Sequence, residues 1–155
     1  MNRTFIRAAL AALAIGTIAL AGCAPAGEAE HATDGVWGYV ASANSAQLEV
    51  DAEQPGTTEL VVDRVLAPGD AWVVVHLNDD GAPGMRVGLA RVSAGESTGV
   101  RVQLEGDLAE SVIVALHADR GTPGEFDFDM EDPTGSPDRP YFVGGAELAV
   151  VVSVR

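Results

Sequence analysis

The side chains best equipped for chemistry in this sequence are two histidines in matching surroundings. His76 ends the apolar run Trp72-Val73-Val74-Val75 and is followed by Leu77-Asn78-Asp79-Asp80 and then Gly81-Ala82-Pro83-Gly84. His117 ends Ile113-Val114-Ala115-Leu116 and is followed by Ala118-Asp119-Arg120 and then Gly121-Thr122-Pro123-Gly124. An imidazole can ligate a metal, carry a proton or fill a core, and its neighbours decide which. With the thioethers of Met85 and Met130, the two imidazoles form a soft donor set suited to Cu(I). The oxygens of Asn78, Asp79 and Asp80, with Asp119 in the echo, would instead suit Ca²⁺. No metal is assigned from these patterns alone, but His76, Asp79, Asp80, His117 and Asp119 are the first residues to test. Turn chemistry competes with the calcium reading, because Asn and Asp close Asx turns and Asp80-Gly81 is a favoured turn pair. The echo keeps the histidine and the Gly-x-Pro-Gly exit but replaces Asn-Asp-Asp by Ala-Asp-Arg. What recurs is therefore chiefly the strand-ending, turn-making part.

Two other patterns carry chemical letters. Gly95-Glu96-Ser97-Thr98-Gly99 spells the G-x-S-x-G of a nucleophile elbow, which requires a strand-to-helix turn in a large α/β sheet. Here it falls between short strands and reads as a polar hairpin loop, so no catalytic residue is assigned. Asp127, Asp129 and Glu131 alternate with Phe126, Phe128 and Met130, the pattern of a half-buried strand showing its acids to water.

The elements that must position the histidines are strands. From Val36 onward short apolar runs, many alternating at period two as in Val100-Arg101-Val102-Gln103-Leu104-Glu105, are broken by Gly, Pro, Asn and Asp. Strands are expected near 36–41, 46–51, 58–66, 71–78, 86–92, 99–105, 111–118, 126–130 and 146–154, with no capped helical window. This pattern predicts an all-β domain over residues 35–155: an immunoglobulin-like antiparallel β-sandwich of about eight strands. The stretch Asp132 to Pro140 is too rich in proline for a central strand and is expected as a surface loop. The histidine echo is expected as two strand pairs in pseudo-symmetry, one at each side of the sandwich.

Residues 1–22 read as a signal peptide: Arg3 and Arg7 precede a short alanine-rich apolar stretch. Leu20-Ala21-Gly22-Cys23 resembles the lipobox of bacterial lipoproteins. The resemblance implies cleavage before Cys23, a diacylglycerol on its thiol, and a helical signal segment. Several acyl chains anchor stably, since each buried CH₂ contributes about 0.8 kcal/mol. Residues 23–34 then form the lipidated N-terminus and a flexible tether lacking apolar periodicity. Cys23 is the sole cysteine, so no disulfide can form within the chain. The sequence holds 23 acidic against nine basic residues, none of them lysine, at a formal net charge of −14. Such a surface repels nucleic acid and anionic head groups.

Val62-Asp63-Arg64-Val65, Ala67-Pro68-Gly69, Trp72-Val73-Val74-Val75-His76 and Gly81-Ala82-Pro83-Gly84 resemble the signature of a domain-of-unknown-function family. That family occurs on haloarchaeal surface proteins and bacterial exported proteins. Leu116-His117, Asp119 and Gly124-Glu125-Phe126 are similar to its second half, and the resemblance spans about residues 46 to 155. It implies an extracytoplasmic β-sandwich and supplies no catalytic residue or cofactor. Taken together, the sequence predicts a non-enzymatic envelope module, lipid-anchored to the outer side of a cell membrane. It would bind a protein, a glycan or an ion, with metal handling through calcium or copper as the alternative.

Overall fold

A computed structural model describes residues 37–154 apart from 57 and 109; the signal peptide, Cys23 and the tether lie outside the described residues. Ten strands follow in chain order: β1 (Tyr39–Ala41), β2 (Gln47–Glu49), β3 (Glu59–Ala67), β4 (Ala71–Asp79), β5 (Ala82–Val92), β6 (Gly95–Gln103), β7 (Ser111–Ala118), β8 (Tyr141–Val143), β9 (Ala146–Glu147) and β10 (Ala149–Ser153). They form a four-stranded sheet ordered β10-β7-β4-β5, a three-stranded sheet β2-β3-β6, and a small sheet β1-β8-β9. The expected all-β sandwich is what forms, with every pairing antiparallel except β1 with β8.

The core fills the space between the two larger sheets. Leu60, Val62, Val65 and Val102 on one side meet Val73, Val75, Val112, Val114 and Leu116 on the other, all fully buried. Val, with its branched Cβ, suits a pleated, packed surface of this kind. At about 25 cal/mol per Å², burying each such side chain contributes about 1.5–3 kcal/mol. Strands β4 and β7 sit in the middle of their sheet and are buried on both faces over most of their length. Their near-continuous apolar runs are what double burial requires. The register Trp72↔His117, Val74↔Ala115 and His76↔Ile113 places these six residues on the face turned away from the main core.

The echo proves to be one unit rather than two sides. β3 pairs with β6 in one sheet and β4 with β7 in the other, so each copy is an arch crossing the sandwich. The β4–β7 pairing centres on Val74↔Ala115, with His76 and His117 equally far from that centre in opposite directions. The expectation of one copy at each side is thus corrected: antiparallel pairing of equivalent strands brings the copies side by side.

Two other expectations change. Gly95 to Gly99 is not a loop: it opens β6, where Ser97 pairs with Val65 in the sheet remote from the histidines. Residues 126–130 are not a strand, although the expected alternation of Phe and acid survives. Their backbone donors are taken by side chains instead of by a neighbouring strand: Asp138 Oδ2 accepts from Asp127 N–H at 2.9 Å, and Ser136 Oγ from Asp129 N–H at 2.7 Å.

Candidate functional site

The outer face of the β4–β7 pair would expose two histidines and a tryptophan were it not for the long segment 119–140. That segment leaves β7, crosses this face and returns to β8. It is organised by Asp138, which is fully buried. Asp138 Oδ1 accepts from Arg120 N–H at 2.7 Å and Gly121 N–H at 2.9 Å, while Oδ2 accepts from Asp127. Ser136 is buried with it, so the stretch Asp132 to Pro140, expected as a plain surface loop, is partly an inner layer. Phe126 and Phe128 hang from this segment onto the sheet. Phe126 meets the edges of Trp72 and His117 at centroid distances of 5.9 and 5.5 Å, and Phe128 meets His117 edge-on at 4.9 Å.

Beneath this cover lies a cavity of about 180 Å³ lined by His76, His117, Trp37, Phe128, Met130 and Glu147, with Pro83 and Pro133 completing the wall. Both imidazoles are almost wholly buried, at 2% and 1% exposure. Each donates from Nδ1 to a main-chain carbonyl: His76 to Gly84 at 2.9 Å and His117 to Asp138 at 2.8 Å. With Nδ1 protonated, Nε2 carries the lone pair. Among the described residues His76 Nε2 has no hydrogen-bond partner, and the His117 ring bonds only through Nδ1. Burial pushes the His117 pKa down to about 3, and burial likewise lowers that of His76, so both rings are neutral at neutral pH.

The histidines converge because of their register. Four residue steps separate the positions of His76 and His117 along the paired strands, about 13 Å at a rise of about 3.3 Å per residue. Their ring centres are nevertheless 5.9 Å apart, so the side chains reach toward one another over the small Val74–Ala115 pair. Both rings line the same cavity. An unpaired buried acceptor costs about 1–3 kcal/mol. Leucine or phenylalanine would fill the place of His76 without that penalty, so His76 is poorly explained as packing. Nδ1 bound to a backbone carbonyl, leaving Nε2 free, is the arrangement that orients a metal-binding histidine. Among the described residues neither ring hydrogen-bonds to a hydroxyl, a carboxylate or a thiol.

The other expected ligands go elsewhere. Met85 is 67% exposed and is not part of the cavity wall, whereas Met130 is. Asp79 and Asp80 lie exposed at the β4–β5 hairpin, where Asp80 (φ 51°) and Gly81 (φ 93°) form a two-residue turn that matches the strand twist. Asn78 Oδ1 caps that turn by accepting from Gly81 N–H at 2.7 Å. Asp119 sits at the opposite end of the sheet, about 26 Å away along nine-residue β4. There its buried carboxylate accepts from Arg91 Nε at 2.7 Å and from Gly124 N–H at 3.3 Å. The calcium set is therefore corrected: antiparallel pairing sends the two acid loops to opposite ends. Among the described residues no group of three or more His, Cys, Asp or Glu side chains could hold a metal. Asp127 likewise closes local structure, accepting from Thr122 N–H at 2.7 Å.

Trp37, Phe128 and Glu147 escaped the sequence reading of this site. Phe128 had a visible signal, its alternation with acids; Trp37 and Glu147 had none, because they arrive on distant elements. Burial raises the Glu147 carboxyl above the usual glutamate range.

No curated protein and no solved structure matches the chain. A family defined as a domain of unknown function, DUF7282, matches residues 46–155, which include both arches and every cavity residue except Trp37. This chain belongs to the DUF7282 family.

Proposed function

We propose that this protein is a non-enzymatic binding module of the cell envelope, lipid-anchored through Cys23 on the extracytoplasmic side, with the cavity under residues 119–140 as its binding site. The observation that carries the reading is the pair of neutral imidazoles that line one apolar cavity, each held at Nδ1 by a main-chain carbonyl. A preformed apolar pocket with a few convergent polar atoms is the usual form of a small-ligand site. The non-enzymatic part rests on both Nδ1 atoms being committed to backbone carbonyls and on Ser97 lying in the other sheet. The anchor rests on Leu20-Ala21-Gly22-Cys23.

Two measurements test these parts separately. Histidine Cε1–H resonances, followed while metal ions and small aromatic fragments are titrated in, should move for His76 and His117 with at least one probe. If neither resonance responds to any probe, the cavity is not a binding site. Cys23→Ser should shift the protein from the membrane to the soluble fraction, and persistent anchoring would refute lipidation at that residue.

A further inference from the structure

We propose that the cavity binds one soft monovalent cation, Cu(I), through His76 Nε2, His117 Nε2 and the thioether of Met130. The inference rests on the cavity being a binding site and names what it binds.

Geometry supports a shared ion. Two imidazoles holding one ion through Nε2, each at about 2.0–2.1 Å, set their ring centres about 5 to 6.5 Å apart. The observed separation is 5.9 Å, with the rings tilted by 33°. Both Nδ1 atoms are already held by Gly84 O and Asp138 O, which leaves Nε2 of each ring as the ligating atom.

Donor chemistry selects the metal. Two neutral imidazoles and a thioether favour Cu(I) over harder ions. Low coordination suits a d¹⁰ monovalent ion, whereas Zn²⁺ would seek a fourth ligand. Desolvation acts in the same direction, because the cost of moving an ion into an apolar site rises with the square of its charge. Trp37 and Phe128 line the cavity beside the histidines and make its wall largely apolar. Met130 is 55% exposed, so its flexible side chain lies at the mouth, where it can close over an entering ion.

The test uses the whole mature lipoprotein in detergent, kept anaerobic and reduced. Cu(I) is titrated against bicinchoninate, with Ag(I) as an air-stable counterpart, and histidine nitrogen resonances are followed by NMR. The expected result is one ion per chain, movement of both Nε2 resonances, and retention of both Nδ1 protons. Met130→Leu should weaken binding about tenfold or more while leaving the melting temperature unchanged, since this side chain is largely exposed. The proposal is overturned if no stoichiometric Cu(I) or Ag(I) binding occurs. It is equally overturned if bound ion leaves both Nε2 resonances in place or ignores Met130→Leu, because the ion then sits elsewhere on this acidic surface. Movement of the histidine resonances with Zn²⁺ or an aromatic fragment, but not with Cu(I) or Ag(I), removes copper and keeps the binding cavity. Silence to every probe removes both.

Discussion

Removing the Asp138 carboxylate should loosen the whole cover of the cavity. In the native fold this fully buried side chain satisfies three main-chain donors, those of Arg120, Gly121 and Asp127, at 2.7, 2.9 and 2.9 Å. Asp138→Ala leaves all three without a partner, and at about 1–3 kcal/mol for each stranded buried donor the gross loss is about 3–9 kcal/mol. Water entering beside the half-exposed segment recovers part of this, so a net loss of about 3–5 kcal/mol is expected, against a total of about 5–15 kcal/mol for a typical domain. Asp138→Asn should be milder. Its remaining oxygen can serve Arg120 and Gly121, while its NH₂ group faces the Asp127 donor, so one bond is lost at about 1–3 kcal/mol. The order Ala worse than Asn follows from the donor count alone. Urea unfolding gives the two free energies, and amide exchange shows where they are lost. Arg120, Gly121 and Asp127 should exchange faster in both variants, and the His117 Nδ1 proton should lose protection, because its acceptor is the carbonyl of the same residue. An Asp138→Ala protein within about 1 kcal/mol of the parent, with those amides still protected, would refute the assignment of Asp138 as the organiser of the segment.

Acid should destabilise the fold through the histidines. The His117 pKa is depressed to about 3 by burial, against 6.5 for the free side chain. The unfolded chain therefore binds a proton that the folded chain refuses. Stability is full above about pH 6.5 and falls toward pH 3, by up to about 1.4 kcal/mol per pH unit from this residue. His117→Gln should flatten that slope in a series of denaturant midpoints, and an unchanged slope would count against a buried neutral imidazole. Gly38→Ala should disturb β1, because a Cβ there would fall on the Pro140 carbonyl and the Phe142 ring. Such overpacking costs about 1–3 kcal/mol, and a melting temperature equal to the parent's would contradict the close approach. Glu147→Gln should raise the melting temperature at pH 7 and leave it nearly unchanged at pH 4. Burial raises the folded pKa of Glu147 above the ordinary 4.5, so the stability its protonated form contributes is present below about pH 4.5 and is lost as pH rises through the raised folded value. Equal effects at both pH values would show that the carboxyl is not disfavoured in its charged form.

Much of the frame was written in local patterns. Period-two alternation and Gly, Pro and Asx punctuation located β3, β4, β6 and β7 to within a few residues, and alternation placed Trp72, Val74 and His76 on one face of β4 and Ile113, Ala115 and His117 on one face of β7. Asp80-Gly81 announced its own turn, since both residues accept positive φ. Those signals are legible because they depend on neighbours close in sequence.

Which faces meet is a different kind of fact. Nothing local states that β4 pairs with β7, and the apolar runs on these strands read alike whether they lie in one sheet or two. Pairing alone decided that the two histidines share a face and that the acid loops part to opposite ends. The segment 126–130 carries the letters of a strand but finds no strand beside it, and its donors go to Asp138 and Ser136 instead. The sequence by itself determined a β-sandwich with two repeated histidine-ended strands. Only the tertiary structure decided that they face one another across Val74 and Ala115, because register between antiparallel strands is set by long-range packing that no short stretch of chain contains.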